Sequence, residues 1–324
     1  INQQLNIDNS INPKLDSAVI HTRNSIGFRG PELSLRSPSS LSIITMGGST
    51  TACHFLGDDK TWPFLLGEYL KAHGKDVWLN NAGLDGHSTF GHEILLNDHV
   101  KQLHPNLVVF LTGINDIESN QPSFHDKLNT KGAYPDFKHF IFENSEVLNL
   151  ALNAVRGWRA QKLVNTGNKM IDLKGSESRV VPDAIMKERL RQQEQYLLPY
   201  RKRLLGLIDT CIANSTIPVM MTQPFLFGTA VDSATGINFS TFPLGDNSNG
   251  QLEWQVLERY NDIVRSLCKE KNVCLVDLAN LLPKNSLYFY DNVHYTNAGA
   301  VKIAEIVSES LNKVIAEKFS VFIK

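Results

Sequence analysis

Short apolar runs alternate with longer amphipathic stretches along most of this chain. Residues 41–46 (Leu-Ser-Ile-Ile-Thr-Met) are apolar and rich in β-branched side chains, and they stop at Gly47-Gly48, which predicts a buried strand. Residues 61–73 place Trp62, Leu65, Leu66, Tyr69 and Leu70 at helical spacing, with Thr61 to cap the start and Gly74 to stop the end. Further strands are predicted at 77–80, 107–111, 217–222 and 273–277, and further helices at 90–103, 183–214, 252–271 and 296–319. The run Leu107-Val-Val-Phe-Leu111 has no polar residue, as expected of a strand covered on both faces. Strand then helix, five times over, predicts an α/β fold. The architecture that fits is a doubly wound five-stranded parallel sheet with helices on both faces.

Some regions break the alternation. Residues 1–40, rich in Asn, Ser and Pro, predict an irregular N-terminal arm that packs on a main domain, 41–324. Residues 118–182 are polar and predict an inserted helical and loop region within that domain. The insertion holds one amphipathic stretch, 147–164, with Leu148, Ala151, Leu152, Val155 and Trp158 on one face. We read it as a packed helix, with a lid or a lipid-facing helix as the alternatives. Residues 225–250 form a loop rich in Gly, Ser, Asn and Asp. The apolar end, Phe319-Ser-Val-Phe-Ile323, suits an edge strand or a contact with another chain.

Composition narrows the function classes. With 324 residues, 42% of them hydrophobic, the chain can bury a sizeable core. Its 32 basic and 33 acidic residues balance to a net charge of −1, so the basic face that binds nucleic acid is not expected. No apolar run reaches the roughly 18 residues that span a bilayer. The chain starts at Ile1 with polar residues, which fits either a removed signal or membrane anchor or a trimmed cytosolic chain. The first reading, an extracytoplasmic protein (secreted, periplasmic or membrane-anchored), is slightly favoured. The four cysteines, Cys53, Cys211, Cys268 and Cys274, have no Cys-x-x-Cys spacing, so no zinc site is expected. We read them as small buried side chains; a bridge between Cys268 and Cys274 is the alternative.

In an open parallel sheet, ligands bind beyond the carboxyl ends of the strands. Ser49 follows the first predicted strand, Gly83 the second, Asn115 the third and Gln223 the fourth. Asp291 and His294 precede the last helix, which leaves from the same rim. A serine hydroxyl needs a base to take its proton and a carboxylate to orient that base. Ser49 is therefore the expected nucleophile, His294 the base and Asp291 its orienter. The backbone N–H groups of Ser49 and Gly83 and the amide of Asn115 are the expected oxyanion donors. Gln223 is a further expected contact to substrate. Asp116, His54, His87 and His92 are read as structural, and Arg29 as a structural ion pair in preference to a carboxylate or phosphate binder. No Gly-Lys-Ser/Thr follows Gly47-Gly48, so a phosphate-binding P-loop is excluded.

From about residue 41 to about 310, the insertion apart, this ordered set resembles the SGNH (GDSL-type) hydrolase family. Ser49 stands in the family's first motif, Gly83 in the second (Asn81-Ala-Gly83-Leu-Asp-Gly86), Asn115 in the third, and Asp291 with His294 in the last. One departure is Gly47-Gly48-Ser49-Thr50, where members often have Gly-Asp-Ser. The resemblance implies a flavodoxin-like fold and ester hydrolysis through an acyl-serine, with no metal or organic cofactor. A small-molecule or glycan ester is the expected substrate. The polar insertion and the 225–250 loop favour an O-acetyl esterase acting on a carbohydrate. Rival readings are an O-acyltransferase using the same residues, an inactive glycan-binding module, and a metal-dependent hydrolase with Asp291 and His294 as ligands. The oligomeric state stays open.

Overall fold

The computed structural model describes residues 2–10, 12–127, 170–173 and 177–319. The arm is more regular than its composition suggests. Strands β1 (Asn2–Asn6) and β2 (Ala18–Thr22) pair antiparallel, with Leu5 opposite Val19. In β2 only Val19 and His21 point inward. Two inward positions are too short an alternation to stand out in sequence.

The central sheet is built from β3 (Leu41–Gly47), β4 (Val77–Asn81), β5 (Leu107–Leu111), β6 (Ile217–Met221) and, after a small hairpin of β7 (Pro243–Leu244) and β8 (Ser248–Asn249), β9 (Cys274–Val276). All five strands run parallel, in the order β4-β3-β5-β6-β9. Counted along the sheet this is 2-1-3-4-5, the flavodoxin order, whose topological switch falls between β3 and β5. Edge strand β9 is shorter than the 273–277 expected, since a strand paired on one side only is defined by fewer hydrogen bonds.

The helices are α1 (Ser49–Ala52), α2 (Trp62–Ala72), α3 (Thr89–Asp98), α4 (Phe124–Lys127), α5 (Asp183–Ala213), α6 (Gly250–Lys271), α7 (Leu278–Leu281) and α8 (Asn297–Lys318). Ile43, Val109 and Val219 pack with Trp62, Leu66, Ile303 and Val307 of α2 and α8. Their neighbours Ile44, Val108 and Met220 pack with Leu95, Leu204, Ile208, Val256 and Val264 of α3, α5 and α6. Adjacent strand residues thus serve opposite cores, which is why these strands read as unbroken apolar runs. The expected helix 90–103 divides into α3 and a 3₁₀ turn at Val100–Leu103. All four thiols are unpaired, so the Cys268–Cys274 bridge does not form; Cys274 is partly exposed and the other three are buried. The amphipathic stretch 147–164 and residues 320–324 of the apolar end lie outside the described residues. Among the described residues no helix is long and apolar enough to cross a membrane, and no group of three His, Cys, Asp or Glu side chains gathers as metal ligands would.

Candidate active site

Ser49 opens α1, a single helical turn immediately after β3. So short a helix cannot satisfy its own end groups. Its carbonyls are instead taken by distant side chains. Trp62 Nε1 donates to Thr50 O (3.0 Å) and Asn81 Nδ2 to Thr51 O (2.8 Å). Arg29 Nη1 donates to Ala52 O (2.7 Å) and Cys53 O (3.0 Å), and Arg29 Nη2 to Leu56 O (2.8 Å). At the other end, the Ser49 amide has no acceptor among the described residues, as is usual for the first N–H of a helix.

His294 reaches this turn from the loop before α8. Its Nε2 lies 2.7 Å from Ser49 Oγ and its Nδ1 2.7 Å from Asp291 Oδ2. The second oxygen of Asp291 accepts the backbone N–H groups of Val293 (2.8 Å) and His294 (2.7 Å). The imidazole also stacks on Tyr290, with ring centroids 5.6 Å apart and planes 10° from parallel. Burial works against charge on both partners. For Asp291, the hydrogen bond and charge of His294 and the two backbone donors outweigh burial and hold the carboxyl below its ordinary range. Burial likewise pushes His294 down, but the hydrogen bond and charge of Asp291, with the charge of Asp85, outweigh it and leave the imidazole above its ordinary value. Serine, imidazole and carboxylate thus form one hydrogen-bonded chain suited to moving a proton off Ser49.

Asn115 faces the same turn from the loop after β5. A Cβ on Gly48 would lie 2.4 Å from Asn115 Nδ2, so glycine at 48 is what allows this approach. One hydrogen of that amide goes to His87 O (3.0 Å), which leaves the other free to bind an oxyanion. Neighbouring Asp116 points the opposite way. It is buried, and its Oδ1 accepts Thr89 N (3.0 Å) and Thr89 Oγ1 (2.5 Å), with Arg203 Nη2 at 3.4 Å. Asp116 therefore anchors the loop that presents Asn115.

A family model described as the GDSL-like lipase/acylhydrolase family matches residues 44–301. The chain belongs to this family. A curated arylesterase from Vibrio mimicus is 33% identical over 84 residues, which are 26% of this chain and 42% of that protein. The match thus spans less than half the relative's length. Among solved structures, a psychrotrophic esterase from Pseudoalteromonas sp. is 14% identical, covering 86% of this chain and 100% of the other, with a TM-score of 0.44. A mutant of an acetyl-xylooligosaccharide esterase from Geobacillus is 15% identical, covering 83% of this chain and 93% of the other, with a TM-score of 0.46.

Two expected site residues of this GDSL-like chain prove to be otherwise employed. The N–H of Gly83 is bonded to Asn81 Oδ1 at 2.8 Å, so it is not available to an oxyanion. The glycine of that motif with a free N–H is Gly86. It sits at φ +73°, in the left-handed region that favours glycine, within the turn closed by His87 N to Leu84 O (3.1 Å). That N–H has no acceptor among the described residues. Gln223 is likewise withdrawn from substrate. It is 1% exposed, and its side chain accepts from Thr50 Oγ1 (3.1 Å) and donates to Pro224 O (3.0 Å) and Tyr295 OH (3.3 Å). It holds Thr50, the residue after Ser49, instead. Arg29 has the structural ion pair expected of it, with Asp58 Oδ1 at 2.7 Å. Its hold on three carbonyls after Ser49 had no signal in sequence, because the arm carries no periodic pattern that fixes its path.

Proposed function

We propose that this chain hydrolyses a carboxylic ester through an acyl-serine intermediate formed on Ser49. The observation that carries the reading is the chain Ser49 Oγ, His294 Nε2, His294 Nδ1, Asp291 Oδ2, with both contacts at 2.7 Å. His294 takes the Ser49 proton as Oγ attacks the ester carbon. It then gives that proton to the departing alkoxide, which leaves as the alcohol. Water, deprotonated by the same imidazole, attacks the acyl-serine and releases the acid, and the proton returns to Ser49. Asp291 keeps the imidazole in the tautomer whose Nε2 can accept. The Ser49 amide, the free hydrogen of Asn115 Nδ2 and the Gly86 amide would stabilise the tetrahedral oxyanion.

The finer reading is removal of an O-acetyl group from a carbohydrate. It is supported by a polar rim. Asp85, half exposed, lies 3.8 Å from His54 Nδ1. Its charge also acts on His294 and Arg23. A half-exposed carboxylate whose charge reaches His294 suits a polyhydroxylated alcohol better than a lipid tail.

The deciding experiment is fluorophosphonate labelling with mapping of the modified peptide, paired with Ser49→Ala. Modification at Ser49, with turnover of p-nitrophenyl acetate lost in the variant, is expected. Equal turnover by the pure, folded variant would overturn the serine mechanism. Acetate release from an acetylated oligosaccharide, compared with hydrolysis of tributyrin, separates the carbohydrate reading from a lipase.

A further inference from the structure

A small cavity adjoins Ser49, bounded also by Thr50, Cys53, Phe55, Leu56, Tyr290, His294 and Tyr295. The space open to the centre of a water-sized group is about 10 Å³, enough for one such group. From this geometry we infer that the cavity receives the acyl chain of the substrate, that it admits an acetyl group and little more, and that Phe55 is the residue that sets this limit. The inference rests on the acyl-serine reading above and names the acyl class within it.

Three groups on the tetrahedral carbon need three directions away from Ser49 Oγ. The oxyanion goes toward Asn115, whose amide lies beside the Gly48 backbone. The leaving oxygen must meet His294 Nε2, which protonates it, and the rest of a sugar must extend into solvent. A space that holds one water-sized group is too small for a sugar ring, so the alcohol cannot occupy it. The acyl methyl remains, and the lining suits it. Tyr290, Tyr295, Leu56 and Cys53 are all buried, and Phe55 adds an apolar ring.

Most of these walls are fixed by other duties. Tyr290 stacks on His294. Tyr295 receives Gln223 Nε2 on its hydroxyl. Cys53 follows the nucleophile turn and donates its thiol to Thr50 O at 3.4 Å. Phe55 carries no side-chain hydrogen bond and is only partly buried. It is held edge-on between His54 and Tyr290, at centroid distances of 5.3 and 6.2 Å. Cutting it back lengthens the cavity without touching the proton-transfer chain.

The test is a series of p-nitrophenyl esters (acetate, butyrate, hexanoate) on the wild type, Phe55→Ala and the milder Phe55→Val, with kcat/KM measured for each. The wild type should lose about tenfold or more in kcat/KM from acetate to butyrate, the discrimination a tight apolar pocket gives. Phe55→Ala should raise the butyrate-to-acetate ratio about tenfold, and Phe55→Val should fall between. Hexanoate turned over by the wild type as well as acetate would overturn the inference. So would an unchanged ratio in both variants while turnover still depends on Ser49, and that result would leave the serine mechanism standing. Turnover of every ester independent of Ser49 would remove the acyl-serine reading itself.

Discussion

The two halves of the proton-transfer chain are held in opposite ways. The Ser49 turn is positioned from outside. Trp62 of α2, Asn81 of β4 and Gln223 after β6 each tie one of its groups, Arg29 of the arm ties Ala52 O and the carbonyls that follow it, and Gln223 lies 173 residues away in sequence. The histidine loop is positioned mostly from within. Asp291 binds the N–H groups of Val293 and His294, Tyr290 N binds His294 O (3.1 Å), and Phe289 bridges to Tyr295. The ties from elsewhere fall around this internal set: Leu226 N to Asn292 O (2.9 Å), Ile171 N to Tyr290 O (3.0 Å), Lys14 Nζ to Phe289 O (3.1 Å) and Gln223 Nε2 to Tyr295 OH (3.3 Å). A local motif that folds on itself carries its geometry in its own residues. A helical turn of four residues does not, and borrows its geometry from the rest of the fold.

The sharpest probe of this contrast is Asp291→Asn. The amide oxygen can still accept the two backbone N–H groups, so the loop should persist. The amide nitrogen would then face His294 Nδ1 and donate to it, favouring the tautomer with the proton on Nε2. That nitrogen could no longer accept from Ser49. We expect kcat to fall on the order of 10⁴-fold, with little change in the circular dichroism spectrum. Stability should shift with a definite sign. The Asp291 carboxyl is held below its ordinary range, so it stabilises the fold above its unfolded value of 3.8 and loses that contribution as pH falls through the lower folded value. The variant should therefore be less stable than wild type near neutral pH and converge with it in acid. A collapsed fold would mean that the loop does not hold itself.

Arg29→Met tests the other half. It strips the donors from Ala52 O, Cys53 O and Leu56 O and leaves Asp58, 29% exposed at its side chain, without its ion-pair partner and held by Thr22 alone. The cost should be about 3 kcal/mol or more, read as a fall in Tm. If the arm positions Ser49, kcat should also fall, by up to about 10²-fold, with KM changed much less. Arg29→Lys keeps the charge but not the planar fork, and should recover only part of the rate. A fall in Tm with kcat intact would show that the turn holds itself after all.

This division also explains what could be read from sequence. The five strands and the long helices carry strong periodic signals, and their alternation gives the parallel sheet. Asp291 and His294 are three residues apart, and a turn can join them. The pairing of Gly48 with Asn115 is visible only as two loops on one rim. What escaped reading was set by tertiary contact. Gly83 looked like a donor because a glycine beside the site allows close approach, yet Asn81, two residues earlier, takes its N–H. Gln223 sits on the right rim, but its side chain turns inward to Thr50. Nothing local tells a side chain at a strand end which way to turn.

Asp85 joins the two halves and gives the smallest effect. It belongs to the turn after β4, lies near His54 just past the nucleophile turn, and its charge reaches His294. A base must be neutral to accept a proton, so activity falls as pH drops through the His294 pKa. Asp291 and Asp85 both hold that pKa above its ordinary value of 6.5, against the push of burial. Asp85→Asn removes one of the two charges, so the acid limb of kcat/KM against pH should move to lower pH, with kcat on its plateau little changed. The shift should be modest, because Asp85 is half exposed and screened. It should also shrink as salt rises from about 0.1 M to about 1 M, where the Debye length contracts from roughly 10 to roughly 3 Å. The Asp291 hydrogen bond is a direct contact of 2.7 Å between half-buried groups and should keep its effect at both concentrations. A limb that stays in place at low salt would mean that the Asp85 charge does not act on His294, and that the two halves are joined only by direct contacts such as His294 with Ser49 and Gln223 with Thr50 and Tyr295.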